Sequence, residues 1–205
     1  MPLKKFAVLV SGGGTDLQSI IDSEYGKQIS CVISSKDGVY SLERCKKADI
    51  PAFVVAKKDY ASKEDFDGAI LKILDDFKVD FVVLAGYLQI LGETLIDRFE
   101  NKIINIHPSL IPSFCGMGYY GLKVHQAVLD YGAKITGATV HFVDKLADNG
   151  PIILQTAVEV LPDDDAESLQ KRVLEKEHVI LPKAVGLMCE DRIRVYGRKV
   201  KIDPK

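Results

Sequence analysis

Asn105, Ile106, His107 and Pro108 stand together at the end of an apolar run. Residues two apart on a strand share a face, so the Asn105 amide and the His107 imidazole point the same way while Ile106 packs oppositely. An amide N–H can hold an oxyanion, and an imidazole can move a proton near neutral pH. The pair therefore suits a reaction through a tetrahedral anion, the plainer alternative being a structural histidine. Far upstream, Ser11-Gly12-Gly13-Gly14-Thr15-Asp16 joins a strand-like run to a helix-like one. Glycines let a ligand approach the backbone, and a helix start offers free N–H groups to an anion. Leu17 stands where a dinucleotide fingerprint has its third glycine, and no Gly-Lys-Ser/Thr follows as in a Walker loop. What remains is a cradle for the phosphate of a mononucleotide-sized ligand, or else a tight turn in which Asp16 merely charges the helix start. Asp148 lies in Asp148-Asn149-Gly150-Pro151, ordinary turn residues, and becomes a charge partner for His107 only if the turn folds back over it. Glu177 falls inside an apolar helical stripe of Ala166, Leu169, Val173, Ile180 and Ala184. A carboxylate there must be paired, reach water or bind something.

The elements that must position these groups follow from periodicity. Residues 6–10 form a continuous apolar run with the glycine stretch 12–14 just beyond it, the pattern of a strand covered on both faces. A helix pattern with Leu17, Ile20 and Ile21 follows, then a strand over 29–33, a helix over about 40–48 and a strand over 52–56. Ser62 with an acidic residue three positions on predicts a capped helix whose buried stripe is Phe66, Ile70, Ile73 and Leu74. Strands are expected over 80–85 and 102–106, and a long aperiodic loop over 108–121. A helix near 122–130, strands over 135–143 and 152–160, and a long helix opening in the acidic stretch 162–167 complete the chain. The Asp163, Asp164, Asp165 run reads as a solvated helix start, and Phe114, Tyr119 and Tyr120 as loop aromatics that either stack on a ring or pin the loop. Strands alternating with helices imply an α/β fold, an open twisted, mostly parallel sheet flanked by helices with a partly antiparallel C-terminal half. One domain over 1–205 is expected, with a phosphate-binding half over about 1–100 and a catalytic half over about 101–195.

Composition excludes more than it assigns. The formal charge is −2, so no basic field is available to hold nucleic acid. No apolar run reaches the ~18 residues of a membrane span, and the N-terminus has no signal-peptide pattern. The four cysteines are scattered without a C-x-x-C pair, which reads as reduced cytoplasmic thiols and not as a zinc site or disulfide framework. Small-molecule substrates, no metal, no nucleic acid and no membrane are therefore expected.

Taken together, strand–SGGGT–helix, DFVVLAGY at 80–87, NIHPSLIP at 105–112 and VHFV at 140–143 closing at Asp148 resemble the 10-formyltetrahydrofolate-dependent formyltransferases nearly end to end. The glycine loop and Glu177-His178 are most similar to the branch acting on glycinamide ribonucleotide in purine biosynthesis. The resemblance implies that an amine attacks the formyl carbon of 10-formyltetrahydrofolate, the co-substrate. Asn105 would hold the oxyanion, His107 would act as general acid and proton shuttle, and Asp148 would raise and orient His107. The backbone of Gly14, Thr15 and Asp16 would hold the substrate phosphate, and Glu177 would accept from the ribose hydroxyls. Leu88, Gln89, Ile90 and Leu91, with Ile96, Ile103 and Val143, would form the pterin pocket, and Lys63 would meet the glutamate tail. A monomer or homodimer in the cytoplasm is expected.

The chain departs from that family in places. The usual phosphate loop ends Gly-Ser-Asn where this one has Gly14-Thr15-Asp16, so the phosphate contact is expected through backbone N–H while the Asp16 carboxylate points away. Gln89 stands where an arginine is frequent, and Asn149 where a glycine is. Two alternatives remain: a 10-formyltetrahydrofolate hydrolase, whose relatives generally carry an extra N-terminal domain, and a non-catalytic folate- or nucleotide-binding protein, which would not require Asn105, His107 and Asp148 together.

Overall fold

The computed structural model describes residues 2–204; Met1 and Lys205, the ends of the expected 1–205 domain, lie outside the described residues. Seven strands form one sheet: β1 (Phe6–Val10), β2 (Ile29–Ser34), β3 (Ala52–Val54), β4 (Phe81–Leu84), β5 (Ile103–His107), β6 (Ile135–Phe142) and β7 (Ile152–Glu159). Their spatial order is β3-β2-β1-β4-β5-β6-β7. The pairs from β3 through β5 are parallel, and β5–β6 and β6–β7 are antiparallel. The mostly parallel sheet with an antiparallel C-terminal half is thus present. Every residue of β1 and β4 is buried, as their unbroken apolar runs require of strands covered on both faces.

Six helices do the covering: α1 (Thr15–Ile21), α2 (Tyr40–Lys47), α3 (Lys63–Asp76), α4 (Glu93–Arg98), α5 (Leu122–Tyr131) and α6 (Ala166–Cys189). Phe6, Val8 and Val10 face a core shared with Leu17, Val128, Leu169 and Val173, from α1, α5 and α6. Ala7 and Leu9 face the opposite core, built on Phe66, Ile70 and Leu74 of α3 and Leu95 of α4. Ser62 caps α3 as its spacing predicts, accepting from the Asp65 N–H at 3.0 Å. Among the described residues no helix is long and apolar enough to cross a membrane.

The structure adds α4 and a C-terminal hairpin of β8 (Ile193–Tyr196) and β9 (Lys199–Ile202) that periodicity does not predict. It also corrects one reading. The 163–165 run is not merely solvated: the Asp164 side chain is buried, pairs with Arg172 and accepts from the Leu161 N–H at 2.7 Å. Asp165 caps α6 in a reciprocal arrangement with Ser168.

Candidate active site

Strand order reverses between β1 and β4, and the loops leaving their C-terminal ends diverge there, the usual place for a ligand in an open α/β sheet. Ser11, just after β1, ties those loops together. Its hydroxyl is 2.6 Å from the Ser35 hydroxyl beyond β2 and accepts from the Leu88 N–H beyond β4 at 2.8 Å. The cavity so framed encloses about 990 Å³, at the upper end of ordinary ligand pockets.

β5 delivers Asn105 and His107 to this cavity, and the antiparallel register sets His141 of β6 directly opposite Asn105. The turn after β6 does fold back. Asp148 Oδ2 lies 3.5 Å from His107 Nδ1, and Oδ1 lies 3.7 Å from His141 Nε2. The fold-back needs a left-handed backbone at Asp148, with φ +52°, a conformation aspartate tolerates better than most residues. It also needs glycine at 150, where a Cβ would sit 1.9 Å from the Phe142 carbonyl oxygen. Asn105 Nδ2 lies 3.2 Å from His141 Nε2 and donates to Asp148 Oδ1 at 3.5 Å.

The 108–121 loop closes the other side. Thr139 fixes its start, donating to the Ser109 carbonyl at 2.6 Å and accepting from the Ile111 N–H at 3.2 Å. The Ile111–Pro112 peptide is cis. The loop's main chain then reaches both titratable groups: His107 Nε2 donates to the Phe114 carbonyl at 2.9 Å, and the Gly116 N–H donates to Asp148 Oδ2 at 2.9 Å. Since a carbonyl only accepts, Nε2 must carry a proton, and Nδ1 is left facing the Asp148 carboxylate. The loop aromatics pin the loop: the Phe114 ring stands edge-on to Tyr131 at 5.8 Å and to Tyr119 at 6.5 Å.

Burial changes the expected electrostatics. A carboxylate beside an imidazole favours the charged ring, and Asp148 does pull His107 upward. Yet desolvation of this 4%-exposed side chain is the larger effect, and the His107 pKa falls below its usual value. Burial also opposes the Asp148 carboxylate, but His141, the charge on His107 and the Gly116 N–H together outweigh it and hold that pKa below the ordinary range. His125 of α5 lies in the same cavity wall, 1% exposed, with no hydrogen bond to its Nδ1 among the described residues. Burial, then the charge of His107, pulls it from 6.5 to about 4. Between those values the unfolded chain binds a proton that the folded chain does not, so stability falls as pH drops through the window, by about 3 kcal/mol in all. His125→Phe is expected to lose less stability than the wild type in urea denaturation compared at pH 7 and pH 5; equal losses would show that His125 is not held neutral.

Of the residues that the resemblance assigns to the site, Thr15, Asp16, Leu88, Gln89, Ile90, Leu91, Ile96, Asn105, His107, Val143, Asp148 and Glu177 line this one cavity. Three do not. Gly14 is left-handed, with φ +69°, and a Cβ there would lie 2.7 Å from Ser41 Cβ, so its glycine serves the packing of α1 on α2. Lys63 is exposed at the start of α3, its chain packing by Gly92, which caps α4. Ile103 is fully buried in the core behind the wall. Sequence spacing does not single out His125, His141 or the main chain of Phe114 and Gly116 as site groups; the β5–β6 register is the signal that exposes His141. Asp16 turns its Oδ1 toward His178 Nε2, 3.7 Å away.

A sequence model described as formyl transferase matches residues 4–185. The chain belongs to the formyl transferase family. Within that family it is 40% identical over 207 residues to the phosphoribosylglycinamide formyltransferase of Haemophilus influenzae, covering 99% of this chain and 95% of that one. The crystal structure of glycinamide ribonucleotide transformylase 1 from Symbiobacterium toebii superposes with a TM-score of 0.92 at 40% identity, over 98% of this chain and 95% of that one. A formyltetrahydrofolate deformylase from Pseudomonas syringae shares the formyl transferase fold with a TM-score of 0.86 at 29% identity, over 98% of this chain but 66% of its own.

Proposed function

We propose that the chain transfers the formyl group of 10-formyltetrahydrofolate to the amine of phosphoribosylglycinamide, a step of purine biosynthesis. The observation that supports this reading most is the meeting of Asn105, His107 and Asp148 in one cavity wall. Attack of the amine on the formyl carbon forms a C–N bond and places negative charge on the formyl oxygen. The Asn105 N–H donated to Asp148 is at the outer limit of hydrogen-bond length, 3.5 Å, so it is the one a developing oxyanion takes over. The adduct collapses when the bond to the folate nitrogen breaks. That nitrogen takes a proton as the attacking nitrogen loses one, and His107 carries it. The Asp148 carboxylate sits where it stabilises the imidazolium that forms in passing.

The two substrates fit the two ends of the cavity. Residues 86–92 have no regular backbone pairing, leaving main-chain groups for the edge of a pterin ring, while Leu91, Ile96 and Val143 supply apolar wall. The side chains of Leu88 and Ile90 are more than half exposed and the Leu88 N–H is already given to Ser11, so what they offer is the Leu88 carbonyl and the Ile90 main chain. That also makes glutamine in place of arginine at 89 tolerable. At the other end, the first-turn N–H groups of α1 lack intrahelical acceptors and suit the phosphate, with Glu177 placed for the ribose hydroxyls. Lys63, outside the wall, can meet only the distal tail of the folate.

Purified protein given both substrates, with no metal or ATP added, is expected to release tetrahydrofolate and the formylated ribonucleotide in equal amounts. Turnover of the folate at the same rate with the amine omitted would instead establish hydrolysis.

A further inference from the structure

The end of the cavity formed by α1 and α6 holds two carboxyls where one would suffice. Glu177 is 6% exposed on the inner stripe of α6, and among the described residues no hydrogen bond reaches its carboxyl. Asp16, in the first turn of α1, is mostly buried, and its Oδ1 likewise has no hydrogen-bond partner. Both line the same cavity, and Asp16 stands 3.7 Å from the imidazole of His178, the residue next to Glu177 on α6. The titratable and charged groups facing them are few. Arg44 of α2 spends its guanidinium on the Gly13 carbonyl at 2.8 Å and on Gln18 Oε1 at 2.8 Å. Lys36, in the turn after β2, lines the cavity but is exposed. His178 of α6 stands 3.7 Å from Asp16, beyond hydrogen-bond reach, and burial followed by the charge of Arg44 disfavours its protonated form. Two mostly buried carboxyls with no hydrogen-bonded cation beside them favour holding a proton between them over both being ionised.

We propose that Asp16 and Glu177 act as one proton-sharing carboxyl pair, and that the ribonucleotide binds with uptake of a further proton by that pair. The inference rests on the proposed substrate. A protonated carboxyl donates through its O–H and accepts at its carbonyl oxygen, so the pair with both protons bound still meets both functions of a ribose hydroxyl. A phosphate arriving at the first turn of α1 brings negative charge beside Asp16 and drives the second carboxyl to its neutral form. Burial already raises Asp16 to about 6 and lifts Glu177 well above its ordinary value, so the second proton is within reach near neutrality. An asparagine at position 16 would be neutral at every pH, whereas the aspartate there gains or loses a proton.

The test is calorimetric titration of the ribonucleotide into the protein at pH 7.5 in two buffers of different ionisation enthalpy. Wild type is expected to take up more protons per ribonucleotide than Asp16→Asn, by about half a proton or more. The wild-type KM for the ribonucleotide is expected to rise between about pH 6 and pH 8, by at most about tenfold per unit, more steeply than in Asp16→Asn. Comparing the two proteins cancels the proton that belongs to the ligand's own phosphate. Equal uptake in both would overturn the pair. In the free protein, carboxyl 13C resonances followed against pH provide the independent measure. Two coupled, upshifted titrations that collapse to one in Asp16→Asn support the pair, and two titrations near 4 overturn it whether or not the ribonucleotide binds. Failure of the ribonucleotide to bind at all would count against the proposed function, leaving the carbon titration to decide the pair.

Discussion

Replacing His107 with alanine is expected to lower kcat by roughly 10²–10⁴-fold, the usual worth of a positioned general acid–base group. KM for the ribonucleotide and for the folate should change little, because the role proposed for the imidazole lies in the chemical step and not in holding either substrate. The side chain is 4% exposed and held from both sides, by the Phe114 carbonyl at Nε2 and by Asp148 at Nδ1. Its removal frees that carbonyl, so thermal unfolding of the variant must accompany the kinetics to show that the fold persists. Steady-state rates with both substrates make the comparison, and a change confined to KM would sink the proton-transfer role.

Asp148→Asn is expected to cost a comparable amount, roughly 10²–10⁴-fold in kcat, by a different route. The amide keeps the volume but loses the charge. It keeps an acceptor for the Gly116 N–H, yet it cannot stabilise an imidazolium at His107, and its NH2 competes for His141. Because Asp148 pulls the His107 pKa upward against burial, losing it moves that pKa further down. The limb of the pH–rate profile that reports His107 should therefore shift to lower pH in Asp148→Asn relative to wild type. A profile that drops uniformly without moving would show that Asp148 positions the turn and does not tune the imidazole.

The parts of this molecule legible in its sequence are those where one short segment carries its own signal. Residues 6–10 announce a doubly covered strand because no polar residue interrupts them, and Ser62 announces a helix start because the N–H it accepts from lies within the next turn. The weak signals are short or shared. Six residues at 93–98 make less than two turns, too few to show a stripe, and β8 and β9 are four-residue strands whose apolar side chains are only partly buried. The site divides in the same way. Asn105 and His107 declare themselves on one strand, whereas His141 joins them only through the antiparallel register and Asp148 only through a turn whose return depends on a left-handed backbone. Glu177 was conspicuous as a charge in an apolar stripe, but its companion Asp16 comes from a different helix, so the pair exists only in three dimensions. The downward shift at His107 could not be read from residue types, since carboxylate attraction and desolvation oppose each other and only the buried fraction decides between them.

The loop over 108–121 grips His107 and Asp148 with a carbonyl and an N–H, not with side chains. An alanine scan of that loop would therefore leave both gripping groups chemically present and register only the residues that hold the loop's path, among them Phe114 and the left-handed glycines at 116, 118 and 121. Changes in its length, or a backbone ester replacing the amide at Gly116, would touch what a residue-by-residue survey passes over.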